Sequence, residues 1–166
     1  MSNNSPTSTP VDMTAEFFHV CEGVYRSGDR KPAGTYGALV QGAPADEVAA
    51  DELGEHLRER IRAEHYPDKP RRLASTFVWE TLEDAVWFRD QFRQKSAVYK
   101  VRFLDSTVQA HKVCHTAFRM SASRMDPPAE FMAHEFWARP PVYASLSEVF
   151  AESGIEILAL CVSAPP

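Results

Sequence analysis

The stretch that decides the fold is Arg72–Phe88, RLASTFVWETLEDAVWF. Its first half, ASTFVW, is short, apolar and rich in β-branched and aromatic residues, which reads as a buried strand. Its second half reads as a helix. Thr81 is a good N-cap, and Glu83 and Asp84 fall in the first turn, where acids favour the helix dipole. Leu82, Ala85, Phe88 and Phe92 supply the buried side of that helix, which ends near Gln94. On the strand Ser75, Phe77 and Trp79 share one face, and Ala74, Thr76 and Val78 the other. Two hydroxyls, Ser75 and Thr76, therefore sit inside an apolar strand, either as packing or to hold something in place.

Elements of the same kind lie on either side. Glu16–Val20, EFFHV, reads as a short strand with Phe17 and His19 on one face. Residues 26–42 are dense in Gly and Pro, which predicts a loop with at most a short strand. Gly34 and Gly37 around Tyr36 give a tight backbone that a ligand can approach closely. Ala45–His65 is the clearest helix, with Ala49, Leu53, Leu57 and Ile61 in one stripe and Arg and Glu on the other faces. The Pro residues of YPDKP, Tyr66–Pro70, end it. Downstream, Ser96–Asp105 alternates as a half-exposed strand, with Tyr99, Val101 and Phe103 opposite Val98, Lys100 and Arg102. Within residues 106–128, QAHKVCHTAFRM (Gln109–Met120) fits strand or helix and SRMDPP (Ser123–Pro128) reads as a loop. Pro128–Pro141 reads as a short helix, and YASLSEVFAE and GIEILALCV as two strands joined by a turn at Ser153-Gly154. The sum is a mixed α+β domain over residues 15–166 with a mostly antiparallel sheet, behind a disordered Ser/Thr/Asn/Pro-rich tail at 1–14.

Composition narrows the function classes. With 166 residues the chain suits one domain with a proper core. A net charge of −5 argues against a sequence-independent grip on nucleic acid, although a local basic patch remains compatible with a nucleic-acid substrate. No apolar run is long enough to cross a bilayer, so no membrane partner is expected. The N-terminus lacks the apolar core of a Sec signal peptide, and three scattered cysteines fit a reducing compartment. A cytoplasmic location is the default, with a secreted effector as the alternative.

Few residues carry chemistry. His19 is either a core histidine satisfied by one hydrogen bond or a strand histidine offering a directional donor and acceptor to a ligand hydroxyl. Glu148, in SLSEVF, shares a strand face with Leu146 and Phe150, and a carboxylate there is costly unless paired or put to work. Glu135 in AHEFW is its rival, on a short helix where facing water is the ordinary outcome. His111, Cys114, His115 and His134 invite a metal, but no CxxC or HExxH spacing supports one. No Walker loop and no GxGxxG is present, which argues against P-loop and Rossmann enzymes.

The order of these pieces resembles a known family. An FFHV strand leads to a Gly-rich loop with AGTYG, then a helix and YPDKPRRLASTFVWETLEDAVWF. An AVYKVRF strand and a late HEFW…SLSEVF…IEILAL segment follow. This is similar to a little-characterised bacterial domain family with an ADP-ribosyltransferase-like fold, on its His-type branch. The resemblance implies a split antiparallel β-sheet core that holds NAD, as co-substrate, in a central cleft. By that likeness His19 holds the adenosine-side ribose, Ser75 and Thr76 brace the cleft, and Phe77 or Tyr36 stacks on nicotinamide. Glu148 stabilises the developing oxocarbenium and aligns the acceptor. Arg26, Arg71 or Arg72 is then available to the two phosphates through forked hydrogen bonds. The implied activity is transfer of ADP-ribose to a protein or nucleic-acid acceptor, as a toxin or defence factor, with an antitoxin or immunity partner to restrain it. NAD hydrolysis and a non-catalytic binding module with the same fold are the alternatives. Leu146 stands where arginine-directed enzymes carry Gln or Glu two residues before the catalytic glutamate, which speaks against arginine as the acceptor.

Overall fold

The computed structural model describes residues 10–42, 50–115, 129–138 and 146–166. In chain order these form β1 (Phe17–Cys21), β2 (Arg30–Lys31), α1 (Thr35–Gly42), α2 (Ala50–His65), a 3₁₀ turn (Arg72–Ala74) and β3 (Thr76–Trp79). There follow α3 (Leu82–Phe92), β4 (Ala97–Phe103), β5 (Ala110–Cys114), α4 (Ala129–Ala138), β6 (Ser147–Ala151) and β7 (Ile155–Val162). The strands make one seven-stranded sheet in the order β2-β7-β4-β1-β3-β6-β5, antiparallel at every pairing. The protein is a mixed α+β fold.

The sheet nearly parts at its centre. β1 and β4 share a register from Phe17↔Val101 to Cys21↔Ala97, whereas β1 and β3 meet only at Phe18↔Trp79. Past that pair a side chain takes over from the backbone ladder. The Phe77 carbonyl accepts a hydrogen bond from Nδ1 of His19 at 2.8 Å. A buried carbonyl left without a donor would cost about 1–3 kcal/mol, so the imidazole does the work of a ladder bond where the strands diverge.

Strand alternation sorts the core. Val149 and Ala151 face one way, into a cluster with Phe17, Tyr99, Val101, Phe103, Ile155 and Ile157. Phe150 faces the other way and packs with Ile61 of α2 and Ala133, Phe136 and Trp137 of α4. Glu148 shares the face of Phe150. α3 covers a third cluster of Trp79, Ala85 and Val98. Thr81 caps it as expected, accepting from the Asp84 N–H at 3.1 Å.

Several expectations are changed. Thr35–Gly42 is a helix, not loop. The two glycines that suggested a loop serve its packing. Gly34 has φ of 81° and donates its N–H to the Ser75 carbonyl, and a Cβ on Gly37 would overlap the Leu73 carbonyl. Their close approach is to the chain's own 3₁₀ turn. The opening strand is shorter than ASTFVW, because residues 72–74 form that turn. Leu146 has φ of 59° and precedes β6, so it does not share a strand face with Glu148. Met13 is buried in the core, although it lies in the expected tail. Residue 110 begins a strand, which resolves the ambiguous segment as far as residue 115, and the readings of residues 1–9, 45–49, 116–128, 139–141 and 143–145 lie outside the described residues. Among the described residues no helix is long and apolar enough to cross a membrane.

Candidate active site

A cavity of about 510 Å³ opens beside the parting of the sheet. It lies within the 300–1,000 Å³ range usual for small-molecule sites. His19, Tyr36, Arg72, Ser75, Thr76, Phe77 and Glu148 all line it, on elements drawn from across the chain. Arg71 does not. Its guanidinium points outward to Glu152, with Nη2 2.6 Å from Oε2, and its N–H bonds the same carboxylate. Glu135 is not among the lining residues, and neither is Arg26.

The floor of the cavity is a charged chain. Arg72 donates from Nε to Glu55 at 2.9 Å and from Nη1 to Glu148 Oε1 at 2.9 Å. Its guanidinium also lies over the rings of Phe77, Phe150 and Phe136, at 4.7, 5.0 and 5.2 Å from their centroids. Such stacking suits the flat, weakly hydrated guanidinium. Burial works against its charge, but Glu55 and Glu148 outweigh burial and hold Arg72 above the usual arginine range. Arg58 reaches Glu55 at 3.3 Å and closes the cluster.

Glu148 is buried, with both oxygens engaged. Oε2 accepts from Nδ1 of His115 at 3.3 Å. Burial alone would raise its carboxyl, yet the Arg72 charge and the His115 bond overcome burial and take it down to about 2. The carboxylate is therefore ionised at any ordinary pH. His115 packs against Trp79, Phe88 and Phe92, and its Nε2 is buried without a hydrogen-bond partner among the described residues.

Opposite stands His19. Its Nδ1–H donates to Phe77, so Nε2 carries the lone pair and accepts from the Lys31 ammonium at 2.9 Å. Burial, reinforced by the Lys31 charge, pushes the imidazole down to about 4. Tyr36 and Phe77, the two aromatic candidates, form one edge-to-face pair at 5.5 Å and 84°. The hydroxyls are already spent as donors. Ser75 bonds the Arg71 carbonyl at 2.7 Å, closing the 3₁₀ turn, and Thr76 bonds the Ser153 carbonyl at 2.8 Å.

Sequence reasoning missed Lys31, Glu55 and Arg58, and named His115 only as a metal candidate. The sequence pattern places the Arg and Glu of α2 only on the faces away from its apolar stripe, yet Glu55 is just 4% exposed. The available signal was the spacing of Glu55, Arg58 and Arg62, which fall on one side of the helix. His111 is held by the Phe136 carbonyl at 3.0 Å. No protein-family model matches this chain, and neither does any curated protein.

Proposed function

We propose that the cavity binds NAD and that the protein transfers ADP-ribose from it to a macromolecular acceptor. The observation that carries this reading is the convergence of His19, the Tyr36–Phe77 pair and the ionised Glu148 on one cavity at a parting of the sheet. An aromatic pair suits a flat nicotinamide ring. Breaking the nicotinamide–ribose bond builds positive charge on the ribose, and a fixed carboxylate stabilises that charge more than the ground state. Glu148 supplies such a carboxylate, kept ionised by Arg72. The bonding pair leaves with nicotinamide, the acceptor heteroatom bonds the ribose carbon, and the acceptor's proton needs a base. His115 suits that role, because Glu148 holds its Nδ1–H and the buried Nε2 has no hydrogen-bond partner among the described residues.

The engagement of Glu148 by both Arg72 and His115 favours a second reading, a binding module whose carboxylate is locked in structure. One experiment separates the two. The protein is incubated with NAD, free nicotinamide is followed, and Glu148→Gln, His115→Gln and Glu135→Ala are compared. The transferase reading expects release that falls about 10²–10³-fold in Glu148→Gln and persists in Glu135→Ala. Release without a modified acceptor means hydrolysis, and an NAD-induced thermal shift without release means the binding module. Neither release nor shift would remove NAD from the account, and loss of activity in Glu135→Ala alone would move the catalytic carboxylate off β6.

A further inference from the structure

The two buried arginines of the cavity, Arg58 and Arg72, are committed to carboxylates, and its lysine is not. Arg72 is divided between Glu55 and Glu148, and Arg58 is turned to Glu55. Two arginines and two carboxylates cancel. Lys31 makes no ion pair among the described residues, and its one hydrogen bond goes to the neutral Nε2 of His19. That bond uses one of three ammonium N–H groups. Burial also works against the Lys31 charge, so an anion arriving beside it would relieve a standing electrostatic cost.

A second feature faces the same space. α1 starts four residues after Lys31, and Thr35 and Tyr36 in its first turn line the cavity. The dipole at a helix N-terminus attracts negative charge. No acidic side chain stands in the first turn of α1 to answer it. Two other charged lining residues, Glu22 and Arg93, are exposed and of opposite sign.

We propose that Lys31 and the N-terminal turn of α1 form a seat for the phosphates of a bound dinucleotide, with His19 as the strut that holds the lysine in place. The identity of the phosphate carrier rests on the NAD reading, whereas the seat itself requires only a phosphorylated ligand. It replaces the arginines as the phosphate contact, for which Arg71 is turned outward and Arg72 already has two carboxylates.

The test is calorimetric titration of the full chain with ADP-ribose, inorganic pyrophosphate and nicotinamide riboside, the last of which carries no phosphate. Wild type should bind the first two, and Lys31→Met should weaken both by about tenfold or more. Nicotinamide riboside should bind both proteins equally, and Lys31→Arg should retain most of the phosphate affinity. Unchanged ADP-ribose binding in Lys31→Met overturns the seat, as does an equal loss for all three ligands. Wild type that binds neither phosphate compound overturns it too. Lys31-dependent binding of pyrophosphate with no binding of NAD upholds the seat and removes the NAD reading. Turnover of NAD at wild-type affinity in Lys31→Met does the reverse. Should Lys31→Met fail to fold, wild type alone decides through the nitrogen resonance of His19 Nε2. That signal should move with pyrophosphate, and a signal unmoved at saturation overturns the proposal.

Discussion

The imidazole of His19 spans the point where β1 and β3 diverge, its Nδ1–H bonded to the Phe77 carbonyl at 2.8 Å while Nε2 accepts from Lys31. One neutral ring thus ties the two halves of the sheet and the cavity wall together. Its neutrality has a consequence for stability. His19 titrates near 4 when folded and at its ordinary 6.5 when unfolded, so between these values the unfolded chain binds more protons. Stability from this source is complete above pH 6.5 and is lost as pH falls toward 4. Buried His111 acts in the same direction over the same window. Urea unfolding between pH 7.5 and 4 should show the decline, and His19→Asn should remove part of it. His19→Leu, which leaves the Phe77 carbonyl without its donor, should be destabilised by about 1–3 kcal/mol at pH 7.5.

Glu148 governs a lower window. Its carboxyl falls from 4.5 to about 2 on folding, so its contribution is complete above pH 4.5 and disappears as pH drops through 2. Glu148→Gln should flatten the acid limb below pH 4.5 and leave the decline between 6.5 and 4 in place. Circular dichroism melts across the acid range distinguish the two limbs.

Arg72 is the keystone of the cavity floor. Arg72→Leu leaves Glu55 and Glu148 buried without their guanidinium and should cost about 3–5 kcal/mol in urea unfolding at pH 7. Pairing it with Glu148→Gln should recover part of that loss, because one stranded charge is then gone. A double variant no more stable than Arg72→Leu would show that Glu55, or the lost stacking on Phe77, carries the effect.

Gly37 and Gly54 make a contrast within helices. A Cβ on Gly37 meets backbone at the Leu73 carbonyl, while on Gly54 it meets only the end of the Arg58 side chain, at 3.5 Å. Gly37→Ala should destabilise by about 1–3 kcal/mol as α1 shifts off the 3₁₀ turn. Gly54→Ala should stabilise by roughly 0.5–1 kcal/mol through helix propensity. Paired thermal melts check both signs.

The elements visible in the sequence are those whose pattern is local. The Thr81 cap, the strand that becomes Ala97–Phe103 and the Ile61 face of α2 each follow from periodicity or capping that a few neighbouring residues define. α1 was not visible, because Gly34 and Gly37 are read as loop-formers until the Leu73 turn that needs them is brought alongside. Glu148 could be singled out as a carboxylate on an apolar strand, but its partners come from residue 72 on the 3₁₀ turn and residue 115 just past β5. Lys31 gave no signal at all, being one basic residue in a Gly- and Pro-rich segment.

The sequence by itself therefore determined the α+β class, most of the element boundaries and a short set of candidate side chains, since these depend on spacing along the chain. Tertiary structure decided how those side chains are used. The antiparallel order of seven strands brings His19, Lys31, Arg72, His115 and Glu148 to one cavity. Only that convergence fixes which buried charges cancel, which tautomer His19 adopts and that Lys31 stands without an ion pair among the described residues, because electrostatic partnership depends on distance in space.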